Sequence, residues 1–105
     1  MTKKEIFVRW LDEPRVRYGS ESNMVLGYGD GWEWVKETLN PASTKNATFL
    51  KALDFSLGEV RAYLKRKSIK ENVTDEDRTL YGTGYREGVR DALASLEKRF
   101  KKHNQ

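Results

Sequence analysis

The side chains with the greatest chemical reach in this sequence are cations, and they fall in two clusters. Lys65, Arg66, Lys67 and Lys70 close one amphipathic segment, and Lys98, Arg99, Lys101 and Lys102 close another. Cations in the last turn of a helix complement the negative end of its dipole. If the two helix ends lie side by side, they also form a patch able to neutralise several phosphates. The partner that this chemistry implies is a nucleic acid or a nucleoprotein. Arg9, Arg15 and Arg17, interleaved with Trp10 and Tyr18, would extend such a surface.

A second candidate surface is aromatic. Tyr28, Trp32 and Trp34 surround Gly29-Asp30-Gly31, and a three-residue loop with a central turn signal is a favoured hairpin connection. That register sets Tyr28 opposite Trp32 and Leu26 opposite Trp34, which collects large side chains on one face. Such a face suits docking on a host protein. The competing reading makes Trp32–Leu39 a short helix with Trp32, Val35 and Leu39 on one side, and periodicity over so few residues does not separate the two.

Other chemistry is poorly served. The chain has no cysteine, which removes disulfides, thiolate metal sites and cysteine nucleophiles. Its one histidine, His103, sits in the terminal KKHNQ, a poor place for a general base. Gly27–Gly31 lacks the Gly-Lys-Ser/Thr ending of a phosphate loop, and Gly82-Thr83-Gly84-Tyr85-Arg86-Glu87-Gly88 does not follow a buried strand. Asp75-Glu76-Asp77 reads as helix-start electrostatics, not as a cation cage. Glu33 and Glu37 are a pair of carboxylates without an oxyanion site beside them. The sequence therefore points away from an enzyme and away from any cofactor or metal.

The elements that must position these residues follow from the pattern. The 105 residues fit one domain, β-rich over 1–40 and helical over 44–103. Residues 1–43 carry net charge −1 and residues 44–105 carry +5, so the two halves have different electrostatic character. No apolar run approaches a membrane span and the N-terminus has no apolar leader, so a cytoplasmic protein is expected. Glu5–Leu11 and Arg15–Tyr18 alternate like strands, with Asp12-Glu13-Pro14 as a turn. Gly19–Asn23 reads as a loop and Ala42–Asn46 as a linker. Leu50, Leu53, Leu57, Val60 and Leu64 form a helical stripe; the capping box Ser56-Leu57-Gly58-Glu59 inside it implies either two helices with a break near Phe55 or one helix with a kink. Ser68–Val73 reads as a connector. A last helix is expected from about Asp75 to Lys102, with Tyr81, Tyr85, Val89, Ala92 (or Leu93), Leu96 and Phe100 on its apolar face; the alternative is a helix that begins only near Gly84, after a loop at Tyr81-Gly82-Thr83. Gly84, Gly88 and Ala92 form a row beside that face, where another helix or the sheet would come close. The same row would serve a small homodimer. No internal repeat is evident. The expected fold is α+β: an antiparallel sheet of three or four short strands packed against two or three C-terminal helices.

Two resemblances accompany this reading. Leu53-Asp54-Phe55-Ser56-Leu57-Gly58-Glu59-Val60-Arg61-Ala62-Tyr63-Leu64 resembles the helix start of MerR-type regulators, and implies the same capping physics. Tyr81, Tyr85, Gly88, Val89, Asp91, Ala92 and Leu93 are similar in spacing to helices of small phage and prophage accessory proteins. That resemblance implies a protein that acts by binding nucleic acid, a host enzyme or a defence nuclease, as anti-CRISPR inhibitors do.

Overall fold

A computed structural model describes residues 2–13, 22–52, 55–70 and 79–103. Every regular element among them is a helix: α1 (Lys3–Asp12), α2 (Asn23–Thr38), α3 (Pro41–Thr44), α4 (Thr48–Lys51), α5 (Leu57–Lys70) and α6 (Leu80–His103). The expected antiparallel sheet is overturned, and with it the α+β class. The strand expected at Arg15–Tyr18 lies outside the described residues, as do Thr74–Asp77; the last helix begins at Leu80, not near Asp75.

The first correction is local. Thr2 caps α1, accepting the Glu5 backbone N–H at 3.2 Å and donating its hydroxyl to the Glu5 carboxylate at 3.2 Å. The spacing is that of a capping box, as at Ser56–Glu59, with the Glu5 carboxylate accepting here from the Thr2 hydroxyl instead of the backbone N–H. Ile6, Phe7 and Trp10 then fall on one buried face, while Val8 and Arg9 point outward. The apparent alternation of Ile6, Val8 and Trp10 came from an exposed valine standing between buried residues.

The second correction is the hairpin. Gly27 to Gly31 lies inside α2, a continuous helix of 16 residues capped by the Ser22 hydroxyl, which accepts from the Val25 N–H at 3.3 Å. Three glycines within five residues cost a helix about 3 kcal/mol relative to alanine, so local preference alone does not make this segment helical. Contact with α6 does. A Cβ on Gly27 or Gly31 would lie closer than 3.0 Å to the carbonyl oxygen of Tyr81 or Tyr85, and one on Gly84 or Gly88 would meet that of Met24 or Tyr28 just as closely. The two backbones touch, and only glycine permits it. Carbonyl oxygens set against glycine Cα atoms also allow weak Cα–H···O contacts.

These contacts are reciprocal and rise together along both helices, so α2 and α6 run parallel and in register at an offset of 57 residues. That register reveals a repeat which the linear reading missed. Gly27-Tyr28-Gly29-Asp30-Gly31 lies level with Gly84-Tyr85-Arg86-Glu87-Gly88, Ser22 with Thr79, Val35 with Ala92 and Leu39 with Leu96. Thr79 repeats the role of Ser22 by accepting the Gly82 N–H at 3.1 Å. Val35, Leu39, Ala92 and Leu96 are all fully buried.

α3, α4 and α5 fold back beside these two helices. Asn40 caps α3 by accepting from the Ala42 N–H at 2.9 Å, with Pro41 in the first turn. The apolar stripe over residues 50–64 is split into α4 and α5, with buried Phe55 between them. Ser56 and Glu59 exchange their capping-box hydrogen bonds at 3.3 and 3.2 Å. α5 continues to Lys70, through residues expected to form a connector. Phe7, Phe49, Phe55, Tyr63 and Phe100 pack edge to face, with centroids 5.4–6.2 Å apart. Each such pair adds about 1 kcal/mol to the area it buries.

Candidate nucleic-acid interface

α5 holds its place through one narrow face. Val60, Tyr63 and Leu64 are buried, and the Tyr63 hydroxyl donates to the Ser43 carbonyl at 3.3 Å. The remaining circumference is turned outward. Arg61, Ala62, Lys65, Arg66, Ile69 and Lys70 are exposed, and Ile69 keeps 70% of its surface in water. Beyond Glu59, which is held in the capping box, α5 carries five cations and no carboxylate. Lys65, Arg66 and Lys70 make no ion pair among the described residues. Lys67 is half-buried, with its ammonium 5.6 Å from the Tyr63 ring centroid. Arg61 approaches Glu97 of α6 at 3.8 Å, and both side chains remain well solvated.

The basic end of α6 is built differently. Arg99 binds Glu13 at the end of α1 through two contacts, one of 2.9 Å. Lys101 lies 3.6 Å from Glu97 one turn earlier. Lys98 and Lys102 are exposed. The two basic clusters do not meet. Phe55, just before α5, packs on Phe100, and Arg61 reaches Glu97, so α5 runs back along α6 away from its basic end. Lys67 lies beside Trp34 and Glu37, which the pairing of α2 with α6 sets level with Asp91 and Ala94, about two turns short of Lys101.

The aromatic trio is dispersed as well. Tyr28 donates its hydroxyl to the Asp91 carboxylate of α6 at 2.6 Å. Trp32 packs on Trp10 of α1, centroids 6.5 Å apart, with its indole N–H buried and without a hydrogen-bond partner among the described residues. Trp34 is half-buried beside a cleft of about 240 Å³ lined also by Glu37, Thr38, Ser43 and Lys67, smaller than the cavities that usually hold small organic ligands. With the hairpin gone, the three rings no longer share a face. The glycine row of α6 is likewise occupied, by α2 of the same chain.

Two features escaped the sequence reading. The first is the outward stripe of α5, where Arg61, Ala62 and Ile69 join the cations; it was legible as the complement of the apolar stripe. The second is Lys36, whose ammonium donates to the Trp10 and Glu13 carbonyls at 3.0 and 3.2 Å and lies 4.9 Å from the Trp10 ring centroid. It caps the end of α1 from α2. Burial holds its pKa below the ordinary lysine value, with Arg99 adding to that shift and Glu13 opposing it. Nothing in the sequence placed Lys36 opposite a helix end.

No helix among the described residues is long and apolar enough to cross a membrane. No protein-family model, curated protein or solved structure matches the chain.

Proposed function

We propose that the protein is a non-enzymatic binding protein that engages the phosphate backbone of nucleic acid through the outward face of α5. One observation carries this reading: α5 presents Arg61, Lys65, Arg66 and Lys70 to solvent with no carboxylate of its own beyond its capping box. A solvated row of like charge costs stability through self-repulsion, and phosphate contact relieves that cost. The α6 end contributes less, because Arg99 is already engaged with Glu13 within the fold.

Fluorescence anisotropy with labelled oligonucleotides tests the reading. Four neutralised phosphates weaken binding by about 100-fold between about 50 and 200 mM salt. The triple variant K65E/R66E/K70E abolishes binding, whereas K98E/K102E weakens it less. Absence of binding at low salt, or loss through the α6 variant alone, rejects the α5 surface.

A further inference from the structure

The outward face of α5 has a pattern that attraction to phosphate alone does not require. At about 100° per residue, the side opposite Val60 and Leu64 is centred on Gly58, Ala62 and Ile69, and all three are exposed. Arg61 and Lys65 run along one edge of this midline, and Arg66 and Lys70 along the other. A small, apolar ridge is thus flanked by cations on both sides.

That arrangement matches one form of nucleic acid. The major groove of B-form DNA is about 12 Å wide and admits an α-helix, whose diameter is about 10–12 Å. Phosphates border the groove on both sides, and thymine methyl groups project from its floor. Cations on two edges meet the two strands, while small and apolar residues on the midline approach the bases. Single strands need exposed rings on which bases can stack, but the only ring of α5, Tyr63, is buried and tied to Ser43. The major groove of duplex RNA is too deep and narrow for a helix to read. The Arg61–Glu97 contact is no obstacle, since so solvated a pair exchanges at little cost.

We infer that α5 seats in the major groove of B-form DNA, with Arg61 and Lys65 on the phosphates of one strand, Arg66 and Lys70 on those of the other, and Ala62 and Ile69 over the base edges. This rests on the phosphate-binding reading of the same helix, and the experiment separates the two. The full chain is titrated against a DNA duplex, the matching single strand and an RNA duplex of the same sequence at one low salt concentration. The DNA duplex binds about tenfold tighter than either alternative. Methyl green, which occupies the major groove, displaces the protein, and netropsin, which occupies the minor groove, does not. Ala62→Phe adds neutral bulk on the exposed midline; it weakens duplex binding about tenfold, leaves the thermal melt unchanged and, because it supplies an exposed ring, does not weaken single-strand binding. Single-strand or RNA binding equal to that of the DNA duplex, competition by netropsin alone, or an Ala62→Phe variant that binds duplex normally overturns the groove assignment while phosphate binding stands. Failure to bind all three nucleic acids overturns both.

Discussion

Between Ser22 and Gly31 on α2, and between Thr79 and Gly88 on α6, only glycines are buried; further along, Trp10 of α1 meets Trp32 of α2 and Ser95 of α6, and Phe55 packs on Phe100 of α6. One end of the pair is held by removing side chains until the backbones touch. The other is held by filling the space with rings. The glycine end gives up helix propensity, about 4 kcal/mol over Gly27, Gly31, Gly84 and Gly88, and gains close backbone contact. Cross-helix hydrogen bonds from Tyr28 to Asp91 and from Tyr81 to Asp30 add to that contact. The aromatic end gives up less propensity and depends on volume. The lesson is that the two ends should respond to substitutions of opposite sign.

The largest effect tests that opposition directly. Phe55→Ala empties a fully buried site at the aromatic end and is expected to cost about 3–5 kcal/mol. Gly27→Ala adds a single methyl group at the other end and is expected to cost about 3 kcal/mol, because the new Cβ meets the Tyr81 backbone, which cannot rotate away. Urea unfolding monitored by tryptophan fluorescence measures both. A Gly27→Ala variant within about 1 kcal/mol of the parent would mean that the helices do not touch, and the contrast would collapse.

A smaller effect of reversed sign is expected within a single pentapeptide. Gly29 lies between Gly27 and Gly31, but a Cβ there meets nothing within 4 Å. Gly29→Ala is therefore expected to stabilise the protein by about 0.5–1 kcal/mol, by removing glycine's entropic cost from the helix interior. Thermal melts of the Gly27→Ala and Gly29→Ala variants should move in opposite directions. A drop in melting temperature for both would show that the whole pentapeptide, and not its contact face, requires glycine.

This pentapeptide also marks where the sequence ceased to be legible. The Ser56–Glu59 capping box, the stripe from Leu50 to Leu64 and the glycine row of α6 could all be read, because each follows from local hydrogen bonding or from helical spacing. The row on α6 correctly called for a close neighbour, but its neighbour was disguised. Gly27 to Gly31 has the composition of a turn, and its helical state depends on a contact 57 residues away. α1 was misread for another reason: exposed Val8 counterfeits strand alternation, although Thr2 and Glu5 carried the same capping signature that was recognised at Ser56. At the candidate interface the cations were legible and their arrangement was not. Whether two basic helix ends adjoin depends on the direction in which α5 returns along α6, which no local pattern encodes.

The weakest expected effect concerns the seam between the two ends, where Lys36 of α2 caps α1 beside the Trp10 and Trp32 rings. Burial lowers its pKa in the folded protein below the ordinary value of 10.5, Arg99 lowers it further, and Glu13 partly offsets both. The folded state therefore sheds this proton at a lower pH than the unfolded chain does. Between the depressed folded value and 10.5 the unfolded chain binds more protons, so the contribution of Lys36 to stability rises with pH across that window and is constant below it. The difference in unfolding free energy between the parent and Lys36→Met should accordingly widen in favour of the parent as the pH climbs toward 10.5. Taking the difference between the two proteins removes the titration of tyrosines common to both. A difference that narrowed over the same range would mean that the ammonium, held by the two carbonyls and the indole face, outweighs its burial, and that the seam is fastened by charge.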